Sequence, residues 1–90
     1  RLAVLRRQVG KAIEATRPRE AIRQYLLLAE ELIGQRNRGS YAEAARILQD
    51  VRKLYRSLGE ENRSDQLIRG LRQEYRRLPA LLDEMRRAGL

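Results

Sequence analysis

Apolar residues recur every three to four positions through most of the chain, and the breaks in that rhythm divide it into four helical stretches. Leu2, Leu5, Val9, Ala12 and Ile13 stripe the first, about residues 2–15, with Arg6, Arg7, Lys11 and Glu14 outside the stripe. It is expected to stop near Arg17, because a residue before proline is pushed out of helical angles. Pro18 suits the first turn of the next helix, where no N–H is needed. That second stretch, about 18–36, carries Ile22, Tyr25, Leu26, Ala29, Leu32 and Ile33 on one face, with Leu27 and Leu28 widening it. So broad an apolar arc predicts a central helix, contacted from two sides.

Ser40 followed by Glu43 has the spacing of a capping box and opens the third stretch, about 40–58. Its buried face is expected to hold Tyr41, Ala44, Ala45, Leu48, Val51, Leu54, Tyr55 and Leu58, with Gly59 ending it in the left-handed conformation. Ser64 and Asp65 can cap the fourth, about 64–88. There Leu67, Ile68, Leu71, Tyr75, Leu78, Leu82 and Met85 hold one phase across Pro79. The proline is therefore read as a kink or one-turn interruption, with a clean break into two helices as the alternative. Nothing reads as a strand. The expected fold is all-α, a single domain over 1–90, with four helices in antiparallel hairpins.

Composition narrows the chemistry. The 90 residues contain no Cys, His, Trp or Phe, so thiol and imidazole nucleophiles, disulfides and the usual nitrogen and sulfur metal ligands are excluded. Ser40, Ser57 and Ser64 sit at helix ends or turns, where capping explains them. The acidic pairs Glu30-Glu31, Glu60-Glu61 and Asp83-Glu84 are sequence neighbours, which on a helix diverge rather than converge. No enzyme activity, cofactor or metal is expected. The longest apolar run, Tyr25 to Ala29, is too short for a membrane span. A soluble, cytoplasmic protein is expected, and because the chain opens on Arg1 it is read as part of a longer one.

The net charge is +8, carried by 18 Arg and 2 Lys against 12 acids, and it divides evenly between the two halves. Arginine forks match carboxylates and phosphates, so an acidic protein or a nucleic acid is the class of partner to consider. Arg69, Arg72 and Arg76 line one side of the fourth stretch, with Arg63, Arg77, Arg86 and Arg87 on its basic flank, and Arg46, Lys53 and Arg56 share a line on the third. If the two are neighbours, these six form one basic surface for an acidic partner or nucleic acid. The alternative is a solvated face, partly neutralised by Asp65 against Arg69, Gln73 against Arg77 and Asp83 against Arg87. Tyr25, Tyr41 and Tyr75 stand at apolar-face positions, where a core ring is the ordinary reading and the wall of a groove the functional one. Leu26, Leu27 or Leu81 left outside the core would mark a partner or self-association surface. Arg36 and Arg38, beside the Asn37-Arg38-Gly39-Ser40 turn, have no role in this pattern.

Tyr25, Leu28, Ala29 and Leu32, with Gly39 to Ala45 as turn and helix start, resemble a tetratricopeptide-type hairpin, so stacked repeats stand beside a four-helix bundle as the architecture. Over about residues 18–82, the runs Pro18-Arg19-Glu20-Ala21-Ile22, Leu28-Ala29-Glu30, Tyr41 to Arg46, Leu54-Tyr55, Leu58-Gly59 and Tyr75-Arg76-Arg77 resemble the C-terminal helical region of bacterial SWIM zinc-finger proteins. The resemblance implies a tetratricopeptide-like supporting domain, with the zinc ligands elsewhere in the parent chain. The expected function is a non-enzymatic scaffold or protein-interaction module. Its groove, between the second and fourth helices, would take a protein segment or pack on the rest of its own chain. Nucleic-acid binding through the arginine face is the alternative.

Overall fold

A computed structural model describes residues 2–90, and Arg1 lies outside the described residues. Five helices follow one another: α1 (Leu2–Ile13), α2 (Pro18–Gly34), α3 (Arg38–Ser57), α4 (Glu61–Glu74) and α5 (Pro79–Arg87). The protein is all-α, with no strand among the described residues.

The core is built on α2 and α3, whose small residues let the two helices close on each other. Ala21, Ala29, Ala44 and Ala45 are buried at their contact, between Tyr25, Leu28, Ile47, Leu48 and Val51. Arg19, at the start of α2, meets Glu60, just past the end of α3, at 2.7 Å, so the pair runs antiparallel as their short connection predicts. α3 also contacts α4 and α5, and so stands between α2 and the last two helices. The groove expected between the second and fourth helices is not there along their length. Just past the end of α4, the phenol of Tyr75 lies in the field of Glu30 of α2 and of Arg36.

The fourth stretch is two helices, the alternative reading of Pro79. Leu78 is turned out of helical angles (φ −114°, ψ 77°) and the proline restarts the chain at the first turn of α5. The break sends α5 back along α3. At one end Arg38 holds Asp83 and, at 2.7 Å, Glu84. At the other, Gln49 donates to Ala88 O at 2.8 Å and Arg52 to Gly89 O at 2.7 Å. Arg38, unassigned in the sequence, is thus the clamp between α3 and α5. Leu81 and Met85 are wholly buried beneath it, so Leu81 is not the exposed leucine that would mark a partner.

Helix ends differ from expectation by a few residues, for local reasons. Asn37, not Ser40, caps α3: its extended backbone lets Oδ1 accept the Ser40 N–H at 2.8 Å. Ser40 is then inside the helix, its hydroxyl bonded to Gln35, and no capping box with Glu43 forms. Gly59 does end α3 at φ +71°, with Gly59 N–H donating to Arg56 O and Glu60 N–H to Tyr55 O, both 2.9 Å. α4 starts at Glu61, so neither Ser64 nor Asp65 caps it. Ser64 is buried, and its hydroxyl has no hydrogen-bond partner among the described residues.

Past the end of α2 the left-handed position falls on Arg36, at φ +57°. A side chain there costs what glycine avoids. Arg36→Gly is expected to raise stability by about 1 kcal/mol, seen as a higher urea midpoint with an unchanged slope.

α1 is docked on a face rotated by roughly 100° from the expected one, with Ile13 shared by both. Gly10 is its buried residue, Ile13 is half-buried, and Arg6, Arg7 and Glu14 turn inward. Arg6 meets Glu31 of α2 at 2.8 Å, Arg7 lies 3.6 Å from Asp50 of α3, and Glu14 accepts the Tyr25 hydroxyl. The physical cause is the Tyr25 ring. It packs against Gly10, where a Cβ would come within 2.9 Å of Cζ, so only a glycine surface admits it.

Candidate functional site

A consequence of that docking is that the apolar residues of α1 face outward. Leu2, Val4, Leu5 and Val9 are 47 to 59 % exposed, the exposed large hydrophobics of the described residues. Leu2, Leu5, Val9 and the exposed Ala12 follow at i, i+3, i+7 and i+10, one continuous stripe. Leu26, by contrast, packs against the core.

The cations fall into two groups. On α1 and α2 they are mostly engaged: Arg6 with Glu31, Lys11 with Glu14, Arg19 with Glu60 and Arg23 with Glu20. On the far side, Arg46, Lys53, Arg69, Arg72, Arg76 and Arg77 form no ion pair with a carboxylate among the described residues. Arg56 reaches Glu61 only at 3.9 Å, and Arg76 turns back to Gln73 O at 3.2 Å. Of the three neutralising contacts expected on this side, only Asp83 with Arg87 forms, at 3.1 Å. Asp83 also takes Arg86 and Arg38, and these guanidinium hydrogen bonds, Arg86 first, hold its carboxyl below the usual range.

The six cations proposed from the sequence do not make one surface. Arg69 and Arg72 border a depression over Ile68 and Leu90, with Arg52 on its opposite wall. Arg72 is shared with a second depression floored by Pro79 and Leu82 and edged by Asp83 and Arg86. Arg56 sits beside Arg52 and Asp65 above the buried Ser64. Arg76 borders a separate hollow, with Arg36, Glu74, Tyr75, Arg77 and Leu78. Arg46 and Lys53 are exposed on α3 and border none of these. Arg52 and Arg86, which complete the cluster, were not among the six. Arg52 is one turn before Arg56 on the helix surface, a spacing that could have found it.

Tyr25 and Tyr41 are in the core, 0 and 6 % exposed, so neither lines a groove. Burial, with the Glu14 carboxylate accepting its proton, pushes the Tyr25 phenol above its ordinary range. Tyr75 is the one of the three that reaches a surface hollow. Burial first, then Glu74 and Glu30, raise its phenol too.

Among the described residues no group of carboxylates could hold a metal ion. Glu31, Glu60 and the Asp83-Glu84 pair are tied to arginines. What the far side can do chemically is hold carboxylates or phosphates in arginine forks, with apolar side chains between them.

The chain is similar to "Uncharacterized protein YwqB" of Bacillus subtilis (strain 168), 36 % identical over 80 residues, which is 89 % of this chain and 15 % of that protein. The chain thus spans about a seventh of the length of the curated relative it matches. No family model matches, and no solved structure matches. No helix among the described residues is long and apolar enough to cross a membrane.

Proposed function

We propose that the chain is a non-enzymatic, tetratricopeptide-like scaffold module that packs through α1 on further helices of a longer parent chain. The observation that carries this is the outward stripe of Leu2, Leu5, Val9 and Ala12. In a stack of helices the interior members are apolar on both sides and the terminal ones polar outside. α1 departs from a terminal helix on its outer side: Gly10, Arg6 and Arg7 meet α2 and α3, and leucines and valines are offered outward to another neighbour. The match to a small part of a much longer relative supports the reading. The resemblance to the helical region of SWIM zinc-finger proteins adds what that parent would hold, a zinc-finger domain that this module supports, in the cytoplasm.

The test is a pair of substitutions read in two settings. Leu5→Glu with Val9→Glu in the parent chain is expected to lower its melting temperature by about 4 °C or more and to expose α1 amides to exchange. The same pair in the 90-residue chain, where both side chains face water, is expected to move stability by no more than about 0.5 kcal/mol. A parent chain as stable as before would remove the proposal.

Nucleic-acid binding is the second reading, favoured by one observation: Arg36, Arg76 and Arg77 surround the half-buried ring of Tyr75, a cationic hollow beside a stacking surface. Its signature is an affinity that falls by orders of magnitude between about 50 and 200 mM salt.

A further inference from the structure

We propose that the trough along α4 and α5 is a docking site for an acidic amphipathic helix of a separate protein, a surface distinct from the α1 stripe. The two depressions that meet at Arg72 measure about 360 and 210 Å³, and together they run from Pro79 to Leu90. Their floor is apolar: Ile68, Leu82, Pro79 and Leu90. Their walls are cationic, with Arg69 and Arg72 on α4, Arg52 on α3 and Arg86 on α5.

The wall arginines are free to act in different degrees. Arg69 and Arg72 have no carboxylate partner among the described residues, and Arg52 donates to the Gly89 carbonyl. Arg86 already holds Asp83, at 2.5 Å. Arg69 and Arg72 stand one turn apart, so their forks can meet carboxylates one turn apart on an incoming helix. The leucine-sized side chains between those carboxylates would lie on Leu82 and Ile68, the helix-in-groove mode of recognition.

Charge complementarity selects an acidic partner, and the floor selects a peptide over a nucleic acid. No aromatic ring lines the trough; Tyr75, just past the end of α4, lines the other hollow. A phosphate backbone would satisfy the arginines and leave the apolar floor without a partner, whereas an amphipathic helix satisfies both. The acids that edge the trough, Asp65 and Asp83, lie at its two ends.

The test uses the 90-residue chain and a fluorescein-labelled, Leu/Ala/Glu peptide of about 15 residues, with leucines at i, i+3, i+7 and glutamates flanking them. Competitors are a scrambled peptide of the same composition, its Lys-for-Glu counterpart and a single-stranded oligonucleotide of equal charge. The ordered Glu peptide is expected to bind in the micromolar range, about tenfold tighter than the scrambled one. Arg69→Gln with Arg72→Gln is expected to cost about tenfold or more, and Arg76→Gln with Arg77→Gln to change little. Circular dichroism of each variant shows that its helices are intact. Equal binding of the scrambled peptide, loss of binding in the Arg76/Arg77 variant but not the Arg69/Arg72 one, or displacement by the oligonucleotide at lower concentration would each overturn the proposal. So would no binding at millimolar peptide. None of these outcomes bears on the α1 stripe, whose test stands alone.

Discussion

Gly10→Ala is expected to peel α1 away from the rest of the fold. A methyl group there enters the space of the Tyr25 ring, 2.9 Å from Cζ and 3.0 Å from Cδ1. The ring has nowhere to go. It is wholly buried, and its hydroxyl is bonded to Glu14. Overpacking of this kind costs about 1 to 3 kcal/mol. Against it stand half-exposed ion pairs such as Arg6 with Glu31 and Arg7 with Asp50, each worth about 0 to 1 kcal/mol. Undocking α1 is therefore the cheaper response. The expected result is loss of exchange protection over residues 2–13, with the α2 and α3 core intact. Helix propensity alone predicts the opposite sign, since alanine favours an isolated helix over glycine by about 1 kcal/mol. A gain in α1 protection would mean that α1 does not lie against Tyr25.

Leu81→Ala is expected to have the largest effect of any single truncation in α5, about 3 kcal/mol, from lost transfer energy and the cavity left behind. That is a large part of the roughly 5 to 13 kcal/mol expected for a domain of this size. The helix has only nine residues and buries just Leu81 and Met85. Its other ties to α3 are Arg38, Gln49 and Arg52 at the surface. Urea unfolding measures the loss of stability, and amide exchange at residues 79–87 shows where it is spent. Exchange there should rise well above that of α2. A cost under about 0.5 kcal/mol would show that Leu81 is not packed as described.

The central hairpin was legible because its pattern and its packing agree. Ile22, Tyr25, Ala29 and Leu32 on α2, and Ala44, Leu48 and Val51 on α3, are apolar at helical spacing and are buried. α1 was misread because hydropathy assigns a helix its inner face by its leucines, whereas here the Tyr25 ring packs on a residue without a side chain. The start of α3 was displaced because Asn37 and Ser40 are both competent caps, and the one that freed its backbone earlier won. The basic cluster was half legible. Arg69 and Arg72 share a helix face and could be paired from spacing alone. Arg52 adjoins them where α3 packs on α4, one turn before Arg56, whereas Arg86 joins them only because Pro79 breaks the fourth stretch and returns α5 beside α3.

The clamp at Arg38 joins residues 45 and 46 positions apart, whereas α1 with α2 and α2 with α3 are sequence neighbours. Loop closure is entropically cheaper for near neighbours, which orders assembly: hairpins first, α5 last. The trough exists only after that last step, because Pro79, Leu82 and Arg86 arrive with α5. An occupant of the trough therefore binds the closed form alone and draws the final docking equilibrium toward it by mass action. Occupancy and the completion of folding are in that sense a single event, and the short helix α5 is the part that reports it.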